Sequence, residues 1–380
     1  MNRDLLNTWF HNVELKYPGE FGNDEYDNAR AEIIRTYHNV DGLVAIYEFG
    51  KINNPGVSDL DLIFIFDDSI CNINIGRDFT NRTIPKLAKD ILCGSTLMVI
   101  SENSFKNILV WDDLKFKKIY GKDITINDVN SRDKKIRNII QVMDWLPERI
   151  LSIKRQLYSE ELSLIRFLGL LHSLNYTLDK MIHNGYVPQQ RVEKYVDHIN
   201  LTSKARKSFF SYDSRQLREI LFSLTENALS LGYQGMSDVS ENISGYQCRN
   251  QNKCEGQVLG RFMLTNDYGY EFFKIEEYLK FANSTLYLKK SVIPVPLIWK
   301  RHFMIYGETR GFISDRIMAA FSNGSSISGK VDAEIHNFMR KRIEHCNLMA
   351  DFLVKNGFSR GLIKFGWFFN LMELPENKNS

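Results

Sequence analysis

The sequence predicts an α+β protein: a small mixed β-sheet core with flanking helices, then a mainly helical region, then an irregular α/β C-terminal part. Three observations predict it. Within the first 125 residues helical patterns alternate with short apolar runs of strand length. From about residue 132 apolar residues recur at three- and four-residue spacing, the period of packed helices. After residue 236 that period gives way to a polar, Gly-containing stretch and then to apolar runs of strand length. The corresponding division is 1–130, 131–235 and 236–380.

Each element has its own signal. DEYDNARAEIIRTYH, residues 24–38, places acids in the first turn, where the helix dipole favours them. LVAIYEF, residues 43–49, has strand composition and ends at Gly50. The polar loop KINNPGVS leads into DLDLIFIF, a second strand; a helix over about 80–93 and a third strand, TLMVIS at 96–101, follow. Residues 115–128 read as a connecting segment with a tight turn at Gly121. Four helical stretches then run to residue 232, and Pro147 is expected to kink or restart the first. Residues 236–260 read as a loop, GRFMLTN, STLYLKK and VIPVPLIW as strands, and 331–356 and 361–373 as helices.

Composition narrows the function classes. The 380 residues carry a formal net charge of +3 with 25% charged residues, so basic and acidic groups nearly cancel and no nucleic-acid partner is demanded. The five cysteines include no C-x-x-C pair and read as free thiols of a reducing compartment. The N-terminal stretch MNRDLLNTWFHNVELKYPG is broken by charges, and no apolar run reaches the length of a membrane span. A soluble, cytoplasmic protein without a membrane partner is the expectation.

The chemistry concentrates in FGKINNPGVSDLDLIFIF, residues 49–66. In a strand, Asp59 and Asp61 project from the same face, and two like charges so placed call for a counter-ion. Mg²⁺ takes oxygen ligands and keeps waters and substrate phosphates in its shell, which makes Asp59 and Asp61 candidate metal ligands. A glycine turn at Gly50 lets backbone N–H groups approach a phosphate, and Lys51 adds a positive charge there.

With these features the stretch resembles the polymerase-beta-like nucleotidyltransferase superfamily, whose signature is an apolar strand ending in Gly-Gly or Gly-Ser, a spacer, and Asp-x-Asp or Asp-x-Glu among apolar residues. Phe49-Gly50 and GVSDLDL carry the resemblance, which covers roughly residues 24–125. It implies a nucleotidyltransferase-like N-terminal domain that moves a nucleoside monophosphate from a nucleoside triphosphate, ATP among them, to a hydroxyl or phosphate, with Mg²⁺ on Asp59 and Asp61. By the same resemblance Gly50 and Lys51 cradle the phosphates, and Ser58 orients the loop. The acceptor is unidentified: a small molecule or sugar phosphate suits the near-neutral charge, and a protein side chain stays open. The C-terminal region is assigned to acceptor binding.

This chain departs from the superfamily pattern in three ways. Lys51 stands where a serine usually follows the glycine, the spacer to Asp59 is short, and TLMVIS lacks the customary third carboxylate. Glu102, directly after that strand, is the candidate third acid, with Asp112 and Asp113 as more distant options. Two alternatives follow. One is a catalytically inactive nucleotide-binding or regulatory protein on the same fold. The other is an RNA-acting or toxin-antitoxin-type protein, which requires Arg340 and His345 to face an open groove. Lys134, Lys135 and Lys154 are the basic residues first in line for a triphosphate contact.

Overall fold

Leu62 to Phe66 is an unbroken run of large apolar residues, and a strand made of them must be covered on both faces. The computed structural model describes residues 3–71, 73, 86–92, 98–157 and 159–247, with short stretches and single positions between 263 and 370. In chain order its elements to residue 247 are α1 (Arg3–Asn12), β1 (Glu14–Lys16), α2 (Asn23–Tyr37), β2 (Leu43–Phe49) and β3 (Asp61–Phe66). Then come α3 (Lys86–Ile91), β4 (Met98–Ser101), α4 (Glu102–Lys106), β5 (Phe116–Gly121) and α5 (Ser131–Gln156). The series closes with β6 (Glu161–Ser163), α6 (Leu164–His183), α7 (Val192–Lys207) and α8 (Ser214–Gln247). The protein is α+β, and among the described residues no helix is long and apolar enough to cross a membrane.

The chain forms two compact units, each discontinuous in sequence. Residues 17–134, 163–169 and 341–380 make the sheet unit, and residues 1–16, 135–162 and 170–340 make the helical unit.

In the sheet unit the strand order is β4-β3-β2-β5, with β3 antiparallel to β2 and parallel to β4, and β5 antiparallel to β2. The central position of β3 satisfies its composition, since Ile63 through Phe66 are all 0% exposed. Each such side chain contributes on the order of 1.5–3 kcal/mol by leaving water. On one face α2 supplies the stripe Tyr26, Ala29, Ile33 and Tyr37, and the Tyr37 ring meets Phe64 edge-on at 5.1 Å. On the other, Phe105 of α4 packs on Tyr47 at 4.8 Å and on Phe116 at 4.9 Å. A C-terminal helix, seen at positions between 341 and 355, adds Met349 and Phe352 to this core.

The helical unit is joined by buried polar contacts as well as apolar ones. Arg218 of α8 donates to the carbonyls of Phe10 and Val13, the latter at 3.0 Å, which ties down the end of α1. Asp238 is fully buried, and it accepts from Arg191 at 2.6 Å and from the Tyr195 hydroxyl at 3.0 Å. Burial, and then the Asp238 charge, push the Tyr195 phenol upward.

Five expectations are corrected. β3 begins at Asp61, so Asp59 lies just outside the strand. Residues 116–121 form the edge strand β5, because Phe116 pairs with Phe49 and buries against Phe105; Gly121 ends it at φ +83°, pressed against Val44. α8 continues to Gln247 through the stretch expected to be a loop. Residues 364–365 and 369–370 pair as antiparallel strands where a helix was expected, in keeping with the strand preference of their aromatic residues. α5 runs on past Pro147 to Gln156, with no break in the helix at the proline. Of the expected C-terminal strands, Met263–Leu264, Thr285–Leu288 and Ser291–Pro294 are strands, and the last two pair. Of the cysteines, Cys71 is a free, exposed thiol and the other four lie outside the described residues, as do residues 80–85 of the stretch expected to be helical over about 80–93.

α8 passes Gly232 and Gly235 because they serve packing. A Cβ at Gly232 would lie 2.7 Å from Ile150, and one at Gly235 would lie 3.1 Å from Leu146 and from Met181. Close helix approach, not a break, is their role. Gly169 of α6 has nothing within 4 Å of its missing Cβ. The same substitution therefore carries opposite signs at the two sites. Gly232→Ala is expected to lose about 1–3 kcal/mol through overpacking, whereas Gly169→Ala gains about 0.5–1 kcal/mol from helix propensity. Urea denaturation of both variants measures this directly.

Candidate functional site

The site lies where β2 ends and β3 begins. Phe49 pairs with Asp61, and Gly50 turns away immediately beyond at φ +81°, a conformation that favours glycine. The Asp61 carboxylate comes within 3.9 Å of where a Gly50 Cβ would stand. Register and turn thus set a carboxylate against an exposed glycine backbone.

The loop from Lys51 to Asp59 is held from beneath by α2. The buried Tyr26 hydroxyl accepts from the Gly56 N–H at 3.1 Å and donates to the Ser58 carbonyl. Gly56 is itself at φ +81°. Ser58 is buried, its N–H donating to Asn54 O at 2.9 Å and its hydroxyl accepting from Asn54 N at 3.3 Å. It orients the loop. The Leu60 N–H donates to Ile91 O at the end of α3 at 3.4 Å, which leads the chain into β3.

Asp59 is exposed and Asp61 is half-buried. Burial, then the like charges of Asp59 and Glu48, push the Asp61 carboxyl well above its usual range. Glu48 is an acid within the apolar run of β2, and the Arg30 fork holds it: Nε donates at 2.7 Å and Nη2 at 3.0 Å, while Nη1 reaches Asp27 at 2.6 Å. Arg30 therefore holds the Glu48 carboxylate in place, and burial with the charges of Asp59 and Glu48 bears on Asp61. A divalent cation held by Asp59 and Asp61 would relieve this repulsion, and carboxylate oxygens are the donors that Mg²⁺ takes.

Glu102 does not join the pair. β4 runs parallel to β3 with Ser101 beside Phe66, so Glu102 stands at the far end of β3 from Asp61. The separation along the strand is roughly 17 Å. Its carboxylate is engaged by Lys106 at 2.7 Å and Lys122 at 3.0 Å, which hold its pKa below the usual range. Its position after the strand was legible in the sequence; the parallel pairing that carries it away was not. The antiparallel entry of β5 does bring the Asp112–Asp113 segment to the Asp61 end of the sheet. Among the described residues, however, no three His, Cys, Asp or Glu side chains gather closely enough to share one ion.

The basic candidates are placed individually. Lys51 is exposed beside Gly50, and Lys135 is exposed. Lys134 pairs with Asp128 at 2.9 Å, and Lys154 lies over the Tyr233 ring at 5.8 Å. His345 is 3% exposed and faces no open groove. Its Nδ1 accepts from the Trp111 indole at 2.8 Å, so the proton resides on Nε2, which donates to Ser104 O at 2.6 Å. The requirement of the RNA-acting reading is therefore not met by His345, and Arg340 lies outside the described residues.

Sequence reading passed over Tyr26, Arg30 and Glu48. Glu48 had a signal, as a lone acid in an apolar strand; Tyr26 had only its place in the buried stripe of α2.

Comparisons with protein-family models, curated proteins and solved structures find no match to this chain.

A pH experiment tests the charge strain. Because the folded-state pKa of Asp61 is raised, the metal-free protein loses stability as pH rises from the ordinary carboxylate value through that folded value. Asp61→Asn is expected to flatten this slope and to melt above the wild type at neutral pH, as followed by Tm between about pH 4 and 9. Tyr26→Phe strips partners from two buried backbone groups of the loop and is expected to cost about 1–3 kcal/mol in urea denaturation.

Proposed function

We propose that this protein is a Mg²⁺-dependent nucleotidyltransferase, moving a nucleoside monophosphate from a nucleoside triphosphate to a hydroxyl or phosphate of an acceptor. The observation that carries the reading is the Asp61 carboxylate, charge-strained and half-buried, set against the positive-φ turn at Gly50. A glycine backbone suited to close phosphate approach lies beside a carboxylate pair suited to a hard cation. Asp59 and Asp61 hold the ion in this reading, and the chemistry it supplies when bound is charge neutralisation on the triphosphate. The turn at Gly50 orients the phosphates, and Tyr26 and Ser58 keep the loop in place behind them. A small molecule or sugar phosphate is the acceptor class that the near-neutral charge favours.

One observation favours a second reading, a nucleotide-binding or regulatory protein without transferase activity. No third acid joins Asp59 and Asp61 among the described residues, and a general base is needed to take the acceptor proton.

The experiment is a thermal-shift titration with each of four ribonucleoside triphosphates, with and without Mg²⁺, on the wild type and on Asp59→Ala/Asp61→Ala. A ligand at 100 times its Kd stabilises by about 2.7 kcal/mol, a readily measured shift. The expected result is a Mg²⁺-dependent shift with at least one nucleotide, abolished in the double variant. Absence of any shift in the folded wild type overturns the reading. Nucleotide binding without pyrophosphate release, across a panel of small alcohols and sugar phosphates, selects the second reading.

A further inference from the structure

The edge strand β5 brings a cation to the site that the sequence order conceals. β5 runs antiparallel to β2 with Phe116 opposite Phe49 and Lys117 opposite Glu48. Continuing that register one step beyond both strands sets Lys115 opposite Gly50, the glycine at φ +81° whose turn lies against Asp61. Lys51 is the next residue along the chain from Gly50. One lysine thus flanks the turn along the chain and the other flanks it across the sheet, although 64 positions separate them in sequence (115 − 51).

Both side chains are exposed, and among the described residues neither ammonium has an ion-pair partner. Elsewhere in the sheet unit Lys106, Lys118, Lys122, Lys134 and Lys341 each hold a carboxylate within 3.0 Å. Lys117 has the Glu48 charge directly across the sheet. Among the described residues Lys51 and Lys115 therefore leave two positive charges unanswered on either side of the Gly50 turn.

That balance matters for an anionic ligand. A polyphosphate approaching Asp59 and Asp61 meets repulsion from both, and two ammonium groups flanking the turn offset it in sign and number. Lysine serves phosphate as a mobile point charge, needing no fixed fork geometry. The Gly50 backbone between them has no side chain to keep phosphate oxygens away.

We propose that Lys115 and Lys51 form a two-sided clamp for the polyphosphate tail of the donor nucleotide, closing on the Gly50 turn from the edge strand and from the loop. The clamp rests on the nucleotidyltransferase reading for the identity of its ligand. It adds a binding residue, Lys115, that lies outside the strand-turn-strand motif.

The test is calorimetric titration of the full chain with inorganic tripolyphosphate in the presence of Mg²⁺. Wild type is compared with Lys115→Ala, Lys115→Arg, Lys51→Ala, the control Lys118→Ala and Asp59→Ala/Asp61→Ala. Each clamp alanine removes a charged donor to phosphate and is expected to weaken binding by about 10-fold or more. Lys115→Arg keeps most of the affinity, and Lys118→Ala, whose lysine is engaged by Asp123, leaves it unchanged. Matching Tm values confirm that the exposed-site variants fold.

Unchanged affinity in Lys115→Ala, with binding lost in the aspartate double variant, overturns the clamp and leaves the nucleotidyltransferase reading standing. Loss in the lysine variants with full binding in the aspartate variant supports the clamp and removes the metal site. Failure of the folded wild type to bind tripolyphosphate at all overturns both.

Discussion

Everything at the candidate site depends on one register, the antiparallel pairing that sets Asp61 opposite Phe49. Strand side chains alternate, so a slip of one residue would exchange the two faces of β3 and draw the flanking Asp61 or Asp67 into its buried stretch. With Ile63 to Phe66 wholly buried, that slip is forbidden by the core itself. The strand that most needs to be inside thus fixes the position of a carboxylate at its mouth. Gly50 then has to turn at positive φ against that carboxylate, and the Tyr26 hydroxyl holds the returning loop. Core packing and site geometry are two consequences of a single pairing.

The electrostatics of the sheet unit separate structural acids from the pair at the mouth. Glu48 is answered by Arg30, Glu102 by Lys106 and Lys122, Asp123 by Lys118, Asp128 by Lys134 and Asp133 by Lys341. Cations hold the Glu102 carboxyl low, whereas burial and neighbouring acids drive that of Asp61 up. Groups strained in this direction concentrate at functional sites because folding alone gains nothing from them. The Arg30 fork holds Glu48, whose charge acts on Asp61 after that of Asp59.

The C-terminal helix has a different part in the sheet unit. His345 bridges the Trp111 indole and the Ser104 carbonyl, and Asn356 accepts from the Ile73 N–H at 3.3 Å. Lys355 donates to the carbonyls of Asp68 and Ser69, both at 3.2 Å, just beyond the end of β3. Residues nearly 300 positions apart in sequence (355 − 68 = 287) thus complete one hydrophobic core. An arginine-histidine spacing that reads as catalytic in one dimension is, at its histidine, a hydrogen-bonded packing position.

By itself the sequence determined the α+β class, the helix over 24–38, the strand at 43–49, a second strand read over 59–66 that starts at Asp61, and the Gly50–Asp61 stretch as the place to look. These are legible because periodicity, dihedral preference and capping act between residues close along the chain. Only the tertiary structure decided which distant residues share an end of the sheet. Parallel pairing of β4 carries Glu102 away from Asp61, and antiparallel pairing of β5 carries Lys115 toward Gly50. The glycines of α8 look like breakers until Ile150 and Leu146 show what they accommodate. Strand direction and helix approach are settled by contacts between segments far apart in the chain, and local sequence holds no record of the partner.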